Sequence, residues 1–277
     1  MGREGAHLFL ATMSNPPKVS HWDPKYLSRI GPPLRPQIED LALVRQALGA
    51  IDGLHMLLGV TPEYATLAAR MVAVDYKEAM IREVWPRTMP GHGAVRADWL
   101  RLPFAAQSIA AVLGDGSVNA RAYPKEYALL FEQLQRVLVP GGRLAMRVFV
   151  RPEGAQNCQA LCARAMRGEF GSFHAFKWRL AMAMVAESGE VNIRAADIYA
   201  CRRRLLPDDE RLVAATGWNP AEVDTINAYR DATVSFSFPT LGELRRSYAA
   251  TFDEISATHG SYELAECCPI LALQVKN

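Results

Sequence analysis

The chain has 277 residues, half of them apolar, enough to bury one large core or one domain carrying an inserted cap. Its 31 basic and 29 acidic residues leave a net charge of +2, so electrostatics points to neither nucleic acid nor an anionic membrane as a partner. No apolar run is long enough to cross a bilayer, and a soluble cytoplasmic protein is expected. The five cysteines form no C-x-x-C pair. Cys158 and Cys162 can share a helix face, but without nearby histidines they predict no metal site, and the thiols are expected to be reduced.

Residues 1–36 read as an N-terminal segment of mixed, proline-containing sequence. Its apolar patch, His7 to Met13, lacks a small-residue cleavage site and does not read as a signal peptide. His21-Trp22-Asp23 leads into Gly31-Pro32-Pro33-Leu34-Arg35-Pro36, a stiff extended stretch. From Gln37 to Ala50 the residues Ile38, Leu41, Val44, Ala47 and Leu48 fall on one side of a helix. An apolar run over 54–60 then predicts the first strand, and Gly59-Val60-Thr61-Pro62 predicts a turn into a helix, with Thr61 as cap and Pro62 at the first helical position. Met71 to Asp75 reads as a second strand, 77–85 as a helix and Gly93 to Asp98 as a third strand.

Ser108 to Asp115 predicts a fourth strand ending in the turn Gly114-Asp115-Gly116. Tyr127, Leu130, Leu134, Val137 and Leu138 mark an amphipathic helix, with Arg136 in its last turn and Pro140-Gly141-Gly142 as its stop. Leu144 to Val150 predicts a fifth strand. Strands alternating with helices through short turns argue for a parallel sheet covered on both faces. Residues 151–238 break that rhythm and read as several helices without a clear strand, an insertion above the sheet edge. Thr240 and Glu243 form a capping box for a helix striped by Leu241, Leu244, Tyr248 and Phe252. Two strands follow, about 252–258 and 268–275. They are too close in sequence to be anything but antiparallel neighbours, and Cys267 and Cys268 should point to opposite faces of the second.

This order of pieces resembles the class I S-adenosylmethionine-dependent methyltransferases over residues 40–150 and 239–277. The pieces are Leu57-Leu58-Gly59 ending strand one, Asp75 closing strand two, Ala97-Asp98-Trp99 closing strand three, Leu138-Val139-Pro140-Gly141-Gly142-Arg143 before strand five, and the final hairpin. The resemblance implies an α/β fold: a doubly wound, mostly parallel seven-stranded sheet with an antiparallel last strand and helices on both faces. Residues 37–150 and 239–277 would form the cofactor domain and 151–238 a helical lid. It implies S-adenosylmethionine as cofactor and S-adenosylhomocysteine as product.

The implied cofactor site starts at the first turn, Leu58, Gly59, Val60 and Thr61. The family's G-x-G-x-G keeps only its first glycine here, so the backbone cannot approach a ligand as closely. Asp75, followed by Tyr76, would accept from both ribose hydroxyls, in charge-assisted bonds worth about 1.5–3 kcal/mol each. Asp98 corresponds to the family's acceptor for the adenine amino group, the Trp99 amide could meet a ring nitrogen, and Met80 stands at the adenine-packing position. A helix-face core methionine is an equal reading of Met80. Asp115, Gly116 and Ser117 lie where the methionine end and the acceptor meet; Asp115 could hold the cofactor ammonium, steer a substrate, act as a base or stabilise the turn. Arg147 and Arg151 bracket the end of strand five and read either as anion binders for an acidic acceptor or, in preference, as surface or insertion-anchoring residues. Phe170, Phe173, Phe176 and Trp178 could roof an apolar acceptor, although helical core is the commoner role for such residues. No catalytic residue is assigned, and His55 and His174 read as structural.

The leading expectation is therefore a methyltransferase acting on a small-molecule acceptor. The degenerate turn motivates an alternative, a non-catalytic module of the same fold that binds a nucleoside or a partner protein. A nicotinamide oxidoreductase is disfavoured, because Glu63 in the first turn would repel a pyrophosphate but tolerates a sulfonium.

Overall fold

A computed structural model describes residues 24–86, 89–154 and 157–276. The patch His7 to Met13 and the triplet His21-Trp22-Asp23 lie outside the described residues. The chain enters through a single helical turn, α1 (Pro24–Leu27), and an extended proline segment that leads to α2 (Ile38–Leu48). Asp40 in the first turn of α2 accepts from the Gln37 amide at 2.8 Å, and Val44, Ala47 and Leu48 are buried, as the apolar spacing predicts.

Strand β1 (His55–Leu58) is wholly buried, and β2 (Met71–Asp75) is buried up to its terminal aspartate. Between them, Pro62–Leu67 forms a six-residue 3-10 turn, where the sequence predicts an α-helix capped by Thr61; the Thr61 side chain makes no capping bond. Pro62, placed to start a helix, instead opens a tighter element too short to carry an amphipathic face. Helix α3 (Glu78–Glu83) follows, then β3 (His92–Arg96), which ends two residues before Asp98. Strand β4 (Ile109–Asp115) is buried up to its terminal aspartate and leads through a turn to α4 (Lys125–Val137). Tyr127, Leu130, Phe131, Leu134 and Val137 of α4 face the sheet. Arg136 donates to the carbonyls of Leu102 at 2.8 Å and Phe104 at 2.7 Å, fixing the β3–β4 connection.

Strand β5 (Leu138–Arg147) starts directly where α4 ends. Pro140-Gly141-Gly142 therefore does not separate helix from strand but lies inside the strand, as an irregularity between the pairs Ile109–Leu138 and Ala111–Arg143. The positive φ of 75° at Gly141 lets the chain loop out there and rejoin the ladder.

Residues 151–238 contain α5 (Cys158–Ala165), α6 (Phe173–Ser188), β6 (Asn192–Arg194), α7 (Ala195–Leu205), α8 (Asp209–Thr216), α9 (Pro220–Asp224) and β7 (Ser235–Ser237). The sequence predicts no strand here; the structure has a short antiparallel ribbon pairing β6 with β7. Three residues per strand are too few to show an alternating pattern. Helix α6 is buried around most of its circumference and is the centre of a core containing Phe173, Phe176, Trp178, Trp218 and Phe238.

The chain returns through α10 (Leu241–Tyr248), capped by Thr240 and Glu243 as predicted, to β8 (Phe252–Thr258) and β9 (Ile270–Val275). The main sheet has the order β3-β2-β1-β4-β5-β9-β8, with β9 antiparallel to both neighbours. This is the expected seven-stranded, mostly parallel sheet. Alternate residues feed opposite faces: Met56 and Leu58 pack under α4, Leu57 under α2. Cys267 and Cys268 are not in β9. They sit in and just after a 3-10 turn (Ala265–Cys267), and both are buried. All five cysteines are free.

Candidate functional site

The carboxyl ends of β1, β2 and β4 open onto a cavity of about 280 Å³, close to the lower bound of small-molecule sites, about 300 Å³. At its floor the chain leaves β1 through Gly59, whose φ of 97° turns the backbone across the sheet edge. The Val74 carbonyl fixes this turn by accepting the Gly59 amide at 2.8 Å and the Trp99 indole N–H at 2.7 Å. The Trp99 ring is thereby laid beside Gly59, where a Cβ would stand 3.8 Å from it.

Asp75 lies at the end of β2. Its Oδ1 accepts the Lys77 amide at 2.7 Å, and burial raises its pKa against that hydrogen bond. Met80 and Val84 add an apolar wall after β2. On the β4 side, Ser117 Oγ donates to the Leu58 carbonyl at 2.8 Å, tying the two strand ends together. Gly116 has a φ of 62°, and a Cβ there would collide with the Phe149 ring at 2.7 Å.

Leu58, Gly59, Val60, Thr61, Asp75, Tyr76, Met80, Trp99, Asp115, Gly116 and Ser117 all line this one cavity. Asp98 does not. Its Oδ1 accepts the Leu100 amide at 3.0 Å and stands 3.7 Å from Arg121, so it caps the turn after β3. Asp115 lines the cavity, but its side chain is buried and held by Arg147, whose Nε donates to Oδ1 at 2.6 Å. Burial raises the Asp115 pKa while the adjacent guanidinium opposes the shift. Arg147 is neither at the surface nor in the cavity. It is fully buried, bonding the Pro33 carbonyl at 2.8 Å, Asp40 at 3.4 Å and the Tyr262 hydroxyl at 3.3 Å. Arg151 pairs with Glu243 at 3.1 Å, where the chain leaves for and returns from residues 151–238. Phe170, Phe173, Phe176 and Trp178 all belong to the core around α6, so the helical-core reading holds for each. His174 is buried, with Nε2 at 2.9 Å from the Arg29 carbonyl and its pKa pushed down to about 3 by burial.

Residues 58–146 match a family model described as a methyltransferase domain. Among solved structures, a SAM-dependent methyltransferase from Methanosarcina mazei superposes with a TM-score of 0.51 at 14% identity, over 84% of this chain and 96% of that one. Residues 58–146 thus carry a methyltransferase domain. A protein from Pyrococcus horikoshii gives 0.52 at 16% identity, over 93% and 97% of the two chains. A Rhodobacter sphaeroides protein named a zinc-dependent alcohol dehydrogenase gives 0.55 at 10% identity, over 88% and 92%. At such identities these likenesses show the shared fold alone. No curated protein matches the chain.

The cavity suits S-adenosylmethionine, the cofactor that the fold family implies. Its acids, Asp75, Asp115 and Glu63, fit a ligand with hydroxyls and positive charge, and Glu63 Oε2 is enclosed with no hydrogen-bond partner. The cavity also has walls that the sequence analysis did not assign. Leu27 and Arg35 come from the N-terminal segment, Arg121 from the turn before α4, and Val234 and Phe236 from around β7. The Arg121 guanidinium lies over the Trp99 ring at 5.1 Å. Only the tertiary fold brings these positions to the sheet edge; the motif order carries no signal for them.

Proposed function

We propose that this methyltransferase transfers the methyl group of S-adenosylmethionine to a small-molecule acceptor, with residues 151–238 forming a lid over the site. The observation that carries this reading is the enclosure of the cavity. Asp75 stands on one side, at the end of β2, and Val234 and Phe236 of the insertion close the other. A wall built from the chain's own insertion leaves a pocket of molecular size rather than a groove open to a polymer.

The cofactor supplies a methyl group already activated on a sulfonium. The protein's tasks are therefore to align the acceptor and to exclude water. In this reading Asp75 accepts from the ribose hydroxyls and Met80 and Trp99 flank the base, while Gly116 allows the β4 turn to lie close to Phe149. Val234 and Phe236 keep water from the reacting centre. Asp115, tied to Arg147, shapes the turn instead of moving a proton. Asp98 acts through the turn it caps. The five free, buried cysteines support a reducing, cytoplasmic setting for the protein.

The test is transfer of isotopically labelled methyl from S-adenosylmethionine in a cell extract supplemented with the enzyme. Label in the low-molecular-weight fraction is expected. Label confined to protein or RNA would contradict the small-molecule reading.

A further inference from the structure

Three of the five cysteines converge in the insertion, away from the cavity. Cys158 and Cys162 lie one turn apart on α5, Cys201 lies on α7, and both helices pack on α6. The Cys158 and Cys201 thiols hydrogen-bond each other. Glu187, near the end of α6, accepts the Cys158 amide at 2.8 Å, and its carboxylate also takes a hydrogen bond from the Cys158 thiol. On the Cys201 side, Arg204 Nη2 donates to Sγ at 3.9 Å.

These neighbours polarise the two thiols in opposite senses. The hydrogen bond from Cys158 holds the Cys201 thiol below its ordinary pKa against burial, and the Arg204 guanidinium adds to the effect. The same bond, together with burial and Glu187, keeps the proton on Cys158. Burial pushes other thiols up, Cys162 to about 12 and Cys267 to about 11. A thiolate beside a thiol is the arrangement that reacts with an oxidant and then resolves to a disulfide. Cys201 is 6% exposed and the Arg204 side chain that touches it is exposed, whereas Cys268 is sealed at 0%. Among the described residues no three His, Cys, Asp or Glu side chains are grouped to hold a metal ion, so the chemistry of this cluster is that of the pair.

We propose that Cys158 and Cys201 are a peroxide-sensitive dithiol that closes a disulfide between α5 and α7. The Cys201 thiolate attacks one oxygen of hydrogen peroxide: an S–O bond forms, the O–O bond breaks, and the departing hydroxide takes up a proton and leaves as water. The Cys158 sulfur then attacks the sulfenic sulfur of Cys201. The S–S bond forms as the S–O bond breaks, and the Cys158 proton leaves with the second hydroxide as water. Two thiols are oxidised and one peroxide is reduced to two waters. The loop closed by the bridge contains all of α6, so the oxidised chain resists unfolding more than the reduced one. The proposal is independent of what the cavity binds.

The test treats the reduced full chain with hydrogen peroxide and maps disulfides by mass spectrometry of unreduced digests. A cross-linked peptide joining Cys158 to Cys201 is expected, with a melting temperature that rises on oxidation and returns with dithiothreitol. In Cys158→Ser, whose hydroxyl keeps the hydrogen bond, dimedone should trap Cys201 as its sulfenic acid; in Cys201→Ser, Cys158 should stay unlabelled. Arg204→Met should slow alkylation of Cys201 by iodoacetamide at neutral pH by at least about threefold. Thiols that stay intact under a peroxide dose that converts free glutathione to its disulfide would overturn the proposal. A bridge from Cys201 to Cys162 or from Cys158 to another thiol, or labelling of Cys158 ahead of Cys201, would also overturn it. The wild-type map needs no variant, so it decides the matter even where a substitution unfolds the chain.

Discussion

Asn119 joins the sheet to the insertion through one side chain. Its Nδ2 donates to the Phe149 carbonyl at 2.7 Å and the Ser237 carbonyl at 2.8 Å, and its Oδ1 accepts the Phe149 amide at 2.9 Å. All of this is buried, at 2% exposure for Asn119. Asn119→Ala removes three hydrogen bonds, each worth about 1 kcal/mol net, and strands the Phe149 N–H without water, which adds about 1–3 kcal/mol. The expected loss is about 4–6 kcal/mol, a large part of a stability that for domains is about 5–15 kcal/mol. Urea unfolding followed by far-UV dichroism and tryptophan fluorescence should show the midpoint fall. Because Ser237 adjoins Phe236 in the cavity wall, cofactor affinity should fall with it. Asn119→Asp keeps the acceptor for Phe149 but replaces both donors, and should be as damaging at neutral pH, recovering in part as acid restores one O–H. A loss under about 1 kcal/mol in Asn119→Ala would refute the idea that this side chain locks the insertion to the sheet.

Arg147→Met should cost about 3–5 kcal/mol, because Asp40 and Asp115 would remain buried without their shared cation; the deficit should narrow at low pH as Asp115, whose pKa burial raises, takes up a proton. Lys177 is buried with no hydrogen bond on Nζ, between the rings of Tyr229 at 5.0 Å, Phe173 at 5.7 Å and Trp178 at 5.8 Å, and burial lowers its pKa from 10.5 to about 7. The unfolded chain then holds this proton up to about pH 10.5 while the folded chain releases it near 7, so the group penalises folding fully below pH 7 and progressively less above it. Lys177→Met should therefore stabilise by about 2–4 kcal/mol at pH 7, with the gain shrinking towards pH 10 in urea titrations. Asp75→Asn removes a desolvated carboxylate whose folded pKa is raised, so its melting temperature should rise at neutral pH and converge with wild type as the pH falls through the carboxylate range. The same substitution should weaken cofactor binding, setting stability against function.

The sheet was legible because each core strand is a short apolar run with a clear stop. Met71–Asp75 is seen with the predicted bounds, and the short Gly260 loop dictates the antiparallel β8–β9 hairpin. Gly59, Asp75 and Gly116 were legible for the same reason: they are the stops, and at the carboxyl edge of a parallel sheet the stops line the cavity. Other features depend on partners far away in sequence. Arg147 looks like a strand-end surface arginine until the fold brings Asp40, 107 residues away, and Tyr262, 115 residues away, against it. Arg121, Val234 and Phe236 reach the cavity only through the packing of the insertion on the sheet. Pro140-Gly141-Gly142 has the composition of a helix stop, but α4 already ends at Val137, and the triplet became a loop within β5. Asp98 follows the expected order of motifs but falls two residues past the end of β3, where its oxygen serves the local turn.

In the function proposed above, the edge of β1, β2 and β4 is an S-adenosylmethionine site in which Asp75 holds the ribose. Calorimetric titration with S-adenosylhomocysteine, on the wild type and on Asp75→Ala, tests this assignment. A single site is expected in the wild type, with an affinity at least about tenfold weaker in a folded Asp75→Ala. Equal affinity in the two proteins would place the ligand elsewhere and overturn the assignment.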